Sequence, residues 1–333
     1  MAAVVRTQHF RHLAAVVLLM LAVTLAYYAA GRIGLTLQVV VEGAVVTPLW
    51  PPTGIALSCL LWFGTRIWPG IALGTLLVVL SLSPFRPSAL AIVTGNTLAP
   101  VCAYLMLRRA GFRTEMDRLK DGVSLVFLGA LAGMLISATV GTGVLVLEGE
   151  LAPDGFWSVW SAWWVGDAMG VLVVTPLLLV CRTVRWPMEV RPARWAEATV
   201  LVVGVFVVTL VTTRSAAALL FLVFPLLIWA ALRFQLPGAA PCVLIVSVLA
   251  ISAATDQAGP FEGHGLFTIM ASLQALNGSA ALTGLLLSAV VTEQITVRRK
   301  VEDACAELAE VVERLSPGTV TRRWPPPDDP GRR

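Results

Sequence analysis

The chain has 333 residues, of which 57% are hydrophobic and only 13% charged, with a formal net charge of +4 and a mean hydropathy of +0.83. A soluble domain keeps about a quarter of its residues charged, so this balance excludes one. Apolar runs of about 20 residues, enough to cross a hydrocarbon core about 30 Å thick, predict an all-α, polytopic transmembrane helical bundle with the lipid bilayer as its partner. A transmembrane β-barrel would show short alternating segments instead.

Arg6 and Arg11 precede the first apolar run. That is the charge order of a signal peptide, but the run is too long and lacks a clear cleavage site, so it is expected to be a retained span. Ten spans are predicted, at roughly 13–31, 49–64, 67–83, 88–107, 121–146, 157–181, 196–213, 217–232, 237–254 and 267–297. The second, third and eighth are short, and an eight-span alternative follows if short neighbours merge or re-enter. With the N-terminus cytoplasmic, sixteen of the basic residues through position 300 lie inside and three, Arg32, Arg86 and Arg214, outside. This satisfies the positive-inside rule and places both termini in the cytoplasm.

The five cysteines and three histidines are scattered without disulfide or metal-ligand spacing, so no metal or cofactor is expected. No phosphate loop, nucleophile elbow or metalloprotease helix occurs, and the connecting loops are too short to fold as catalytic domains; an enzyme is not expected. Nor is a nucleic-acid partner.

Beyond the last span, Val297, Val301, Ala304, Leu308, Val311 and Leu315 repeat at spacings of 4, 3, 4, 3 and 4, with acidic residues between them. The pattern reads as a heptad seam of about three heptads, or as one amphipathic helix lying on a surface. A seam would form a homodimer or pair with a separate cytoplasmic partner. SPG at 316–318 stops the helix, and 317–333, rich in Pro and Arg, is expected to be disordered. The expected organisation is a membrane domain at 10–297, a helix at 298–316 and the tail.

LWPPTGIALSCLLWFGTRIWPG at 49–70, GNTLAP at 95–100 and WSAWWVGDAMGVLVVTPLLL at 160–179, in that order, resemble the bacterial membrane-associated sensor domain family (MASE), type one. FPLLIWAALRF at 224–234, Leu-Gln at 273–274 and a last span ending near Glu293 are similar to its C-terminal half. The resemblance covers about residues 10–297. It implies a multi-pass sensory module of the bacterial plasma (cytoplasmic) membrane that in many members precedes a histidine kinase, a diguanylate cyclase or a cyclic-di-GMP phosphodiesterase. The 36 residues after Val297 hold no such output. The expected role is therefore an input that relays an unidentified signal through its last helix to a separate partner, such as a histidine kinase or diguanylate cyclase. A small-molecule transporter or channel is the alternative.

Asp167 is the principal candidate for sensing. It lies about ten residues, or roughly 15 Å, below the outer interface, where a carboxylate costs about 2.5–3.5 kcal/mol and faces the bundle interior or a wet cavity. Trp160, Trp163 and Trp164 lie within one to two turns of it, and Trp160, Trp164 and Asp167 are spaced to share a helix face. An aromatic wall above an acid could hold a cation or an aromatic ligand. A structural bond between spans, with the tryptophans in the interfacial belt, is the other reading. Trp50 and Thr53 stand at a helix start opened by Pro51 and Pro52, where free amides could receive an anionic group. Asn96 lies mid-span between small residues, suited to an interhelical hydrogen bond or a ligand contact. Gln274 and Asn277, three apart, share a face of the last span.

Overall fold

A computed structural model describes residues 2–41, 43–183, 192–215 and 219–315. The expected disorder of 317–333 and the stop at 316–318 lie outside the described residues. The chain forms two compact units, Met1–Thr292 and Glu293–Arg333. Eleven helices occupy the described residues: α1 (Ala2–Leu35), α2 (Pro51–Phe63), α3 (Trp68–Leu82), α4 (Ala89–Arg109), α5 (Leu119–Ser124), α6 (Leu135–Leu147), α7 (Phe156–Met169), α8 (Thr175–Thr183), α9 (Pro192–Arg214), α10 (Val223–Thr255) and α11 (Leu266–Leu315). Two π-helical stretches, Leu125–Ala132 and Gly170–Val174, join α5 towards α6 and α7 to α8. The expected all-α membrane bundle is what the chain forms, since eight helical segments are long and apolar enough to cross a bilayer.

Contacts between helices fix how often the chain reverses. Thr24 donates to the Gly70 carbonyl at 3.0 Å, Gly74 packs on Tyr27, and Gly31 packs on Val78. Helices α1 and α3 therefore run parallel, and α2 between them must run back. At 13 residues, about 20 Å, α2 is shorter than a hydrocarbon core is thick yet still reverses the chain.

The segment Leu220–Thr255, 36 residues long, is broken at Gln235, whose backbone is at φ 53°, ψ −146°. Arg233 pairs with Glu197 at the start of α9, and Arg214 at its end pairs with Asp256. Were α10 straight, those two pairs would carry Leu220 away from Arg214 by about 45 Å, at 1.5 Å per residue. Six residues of connection span at most about 20 Å. The chain must reverse at Gln235, so α10 makes two passes. With α2 counted as well, the eight long segments become ten passes among the described residues, and the start of α1 and Thr292 lie on one face.

The pass Pro153–Arg182 is the most enclosed, with 72% of its apolar window buried against 28% for Ala14–Leu35 and for Pro192–Arg214. Asp167 thus sits on the central pass. Two short antiparallel strands, β1 (Val39–Val41) and β2 (Ala44–Val46), pair Val39 with Val46 and Val41 with Ala44 around Gly43, which is at φ 81°. Ala44 and Val46 pack in an apolar cluster with Leu151, Val159, Ala162 and Met270 of α11. In the second unit the helix exposes Val297, Val301, Leu308 and Val311, and Arg298 pairs with Glu302 at 2.8 Å.

Candidate functional site

The start of α2 and the end of α7 meet backbone to backbone. Trp50 N–H donates to the Gly166 carbonyl at 3.0 Å. A Cβ on Gly166 would overlap the Thr47 carbonyl, one on Gly170 the Trp50 carbonyl, and one on Gly54 the Gly170 carbonyl. Glycine is required there because any side chain would hold the two segments apart. Gly166 and Gly170 form a G-x-x-x-G spacing, the signature of close helix approach in membranes. Two stretches set apart in the sequence, WPPTG and GDAMG, are therefore a single contact in space.

That contact places Thr53 against Asp167. Thr53 Oγ1 donates to Asp167 Oδ1 at 2.7 Å, and Ser137 Oγ of α6 lies 2.5 Å from Oδ2. Asp167 is 1% exposed. Its negative charge lies at the first turn of α2, where the helix dipole favours an anion, although Pro51 and Pro52 carry no N–H and the Thr53 N–H turns to the Trp50 carbonyl. The anion at that helix start is the protein's own carboxylate. Two hydroxyls, the Trp163 side chain and the helix dipole thus hold a buried acid with no basic side chain bonded to it among the described residues, as its burial requires. Ser137 also lies 3.0 Å from the Met134 carbonyl. With one hydroxyl proton, Ser137 can donate to Met134 when Asp167 carries a proton, or to Asp167 when it does not.

A cavity of about 300 Å³ reaches this carboxyl group. Tyr27, Thr75, Asn96, Trp163 and Asp167 line it within the bundle; β2 and Trp50 form one wall, and Arg86, Glu148 and Glu150 stand among its other lining residues. Arg86 pairs with Glu150 and lies 3.9 Å from Glu148. These three groups are partly or largely exposed and mark the mouth. Non-helical backbone within a membrane bundle is tolerated where it lines such a space, which accounts for the hairpin.

Of the residues singled out from sequence, Asp167, Trp163, Asn96 and Trp50 line the cavity, and Thr53 holds Asp167. Asn96 donates to the Ile92 carbonyl of its own helix at 3.0 Å, rather than across helices. Close approach at this point comes from its neighbour Gly95, which packs on Val140. Trp160 and Trp164 stack on each other at 5.6 Å and donate away from the cavity, to Thr139 Oγ1 and to the Leu131 carbonyl. Of the three tryptophans, Trp163 alone lines the cavity, and it lies on Gly141. Gln274 and Asn277 do not line it; Asn277 is buried, and its Oδ1 accepts no hydrogen bond among the described residues.

A model of the MASE1 protein family matches residues 19–295. The chain belongs to the MASE1 family. Searches of the curated proteins and of the solved structures found no match. The MASE1 match covers most of the chain, including every motif quoted above, and identifies a multi-pass membrane protein with a membrane-associated sensor domain. Sequence reasoning missed Ser137 as a holder of Asp167, and Tyr27, Thr75 and the hairpin as parts of the cavity in this MASE1 domain. The hairpin was detectable, since VVV and AVV flank a two-residue EG turn. Ser137 carried no local signal, because only the packing of α6 on α7 brings it to Asp167.

Proposed function

We propose that this protein perceives a small-molecule signal in the Asp167 cavity and relays it through α11 to a separate partner. The observation that carries the reading is the cavity itself. It gathers Asp167, Asn96, Trp50 and Trp163 behind a mouth on the face to which α1 ascends, the outer face if the termini are cytoplasmic and the membrane is the plasma membrane. Met270 of α11 shares an apolar cluster with Ala44 and Val46 of the hairpin that walls the cavity. A ligand that favours one hairpin packing would bias α11 by its differential affinity for the two states. Helix α11 runs from Leu266 to Leu315, and the exposed Val301, Ala304, Leu308 and Val311 would then serve a parallel homodimer or a kinase or cyclase partner, with Leu315 continuing the spacing.

The test compares a chromosomal deletion with Asp167→Asn and Ile92→Trp in the organism's own cells, reading cyclic-di-GMP levels and the transcriptome. Both substitutions are expected to reproduce the deletion's effect at normal abundance in the membrane. If both behave as wild type while the deletion has an effect, the cavity is not the sensing site. Robust solute uptake into proteoliposomes would favour transport instead.

A further inference from the structure

We infer that the cavity takes a small organic ammonium ion, a protonated amine on an apolar or aromatic body, with Asp167 as its counter-charge. The inference rests on the reading of the cavity as the signal site. Three observations lead to this class of ligand.

The first is charge. The lining carries the carboxyl groups of Asp167, Glu148 and Glu150 against a single guanidinium, Arg86. Arg86 is engaged with both glutamates at the mouth. No basic side chain lines the cavity at the depth of Asp167, so an anionic ligand would meet a carboxyl group with no cation to offset it.

The second is hydrogen bonding. A carboxylate offers about four lone-pair sites; Thr53 and Ser137 each take one Asp167 oxygen and the Trp163 side chain bonds to the same carboxyl group, which leaves acceptor capacity over. Asn96 donates one of its two amide N–H groups to Ile92 and keeps its Oδ1 as an acceptor beside the second N–H. Thr75 donates to Ile71 in its own helix. The Tyr27, Trp50 and Trp163 polar groups of the lining are engaged with one another, with Thr75 or with Asp167, so the charged acceptor with capacity left is Asp167, and the group complementary to it is a donor carrying positive charge.

The third is the wall. Trp50, Trp163 and Tyr27 present aromatic rings, and Val46, Val79 and Ile92 supply aliphatic surface. Aromatic faces stabilise an ammonium by cation–π attraction, and the aliphatic surface suits the body that carries it. A bare metal ion does not fit this surface, and no group of three or more His, Cys, Asp or Glu side chains that could hold one occurs among the described residues.

The test uses the full chain in lipid nanodiscs and three probes that share one phenyl ring: 2-phenylethylammonium, 2-phenylethanol and 3-phenylpropanoate. Each is titrated by calorimetry. The ammonium is expected to bind about tenfold or more tightly than the alcohol, with the propanoate weakest. Asp167→Asn should weaken the ammonium about tenfold and leave the alcohol unchanged. The double variant Glu148→Gln, Glu150→Gln alters only partly exposed groups, so it remains informative if Asp167→Asn fails to fold. It should weaken the ammonium and spare the alcohol. Equal binding of the three probes, preference for the propanoate, or binding of none overturns the ammonium assignment and leaves the cavity reading to its own test in cells. Ammonium binding that survives intact in Ile92→Trp places the probe outside the cavity and overturns the assignment as well.

Discussion

Replacing Gly170 by Ala adds one methyl group where the backbone of the α7–α8 pass lies against that of Trp50. The new Cβ would overlap the Trp50 carbonyl oxygen, which belongs to the backbone and cannot swing aside as a side-chain tip would. Either α2 and the α7–α8 pass separate or the Trp50 peptide turns. Both movements disturb the Trp50 N–H bond to Gly166 and, one turn along α2, the Thr53 bond to Asp167. Overpacking of this kind costs about 1–3 kcal/mol, and loosening a hydrogen bond to a charged group adds to it. Gly204 of α9 is the control, because a Cβ there meets nothing within 4 Å, and alanine gains up to about 1 kcal/mol in helix propensity. Equilibrium unfolding in mixed detergent, followed by helical circular dichroism, should place Gly170→Ala about 1–3 kcal/mol below wild type and Gly204→Ala at or above it. If Gly170→Ala is as stable as Gly204→Ala, the backbone contact between WPPTG and GDAMG is wrong, and with it the placement of Thr53 on Asp167.

Thr53→Val and Ser137→Ala should each cost about 1–3 kcal/mol in the same unfolding experiment, since each strips a partner from a buried carboxyl group. The double variant should depart from additivity by about 0.5 kcal/mol or more, because both hydroxyls serve one acceptor; strict additivity would separate them. Arg86→Ala, at an exposed ion pair, should shift stability by no more than about 1 kcal/mol. Gln235→Gly should stabilise by about 1 kcal/mol or more, since the backbone at that position is close to a region open chiefly to glycine; a loss would mean the turn is held by the glutamine itself. In a background without the native cysteines, single cysteines in place of Arg214 and Arg233 should react with an impermeant maleimide from opposite sides of oriented membranes. Labelling from the same side would remove the reversal at Gln235.

The membrane class and the family were legible in the sequence because hydropathy and ordered motifs are local along the chain. Ten apolar runs were visible for the same reason, including the pair 217–232 and 237–254, whose division falls at the Gln235 break. Length alone obscures that break, since Leu220–Thr255 is one apolar segment; the Gln235 backbone and the ion pairs at Glu197 and Asp256 reveal the reversal. Asp167 was conspicuous because a buried acid in an apolar run has no bland composition to hide in. Its holders were not conspicuous. Thr53 was chosen for its place at a helix start and proved to face an acid of the same chain, whereas Ser137 is one of many hydroxyls in apolar helices, most of which bond back to their own carbonyls as Thr94 and Thr97 do. The tryptophans divided for a geometric reason. Positions 160 and 164 share a face turned to α6 and the π-helical stretch before it, while 163 is turned towards the cavity.

A buried carboxyl group held by two hydroxyls, an indole and a helix start differs from one held by an arginine. Breaking a buried ion pair leaves an uncompensated charge and costs about 3–5 kcal/mol, so such a pair is a fixed joint. Hydroxyl partners are neutral and can turn, and the Ser137 proton has a second acceptor in Met134 within 3.0 Å. The three segments that meet at Asp167, namely α2, α6 and α7, can therefore exchange hydrogen bonds when the carboxyl group takes up a proton, with no charge left stranded. That property suits a two-state element biased by a ligand, as the proposed relay requires. The same three segments border the cavity through Trp50, Leu145 and Trp163, so a ligand seated there touches every helix whose packing the carboxyl group governs.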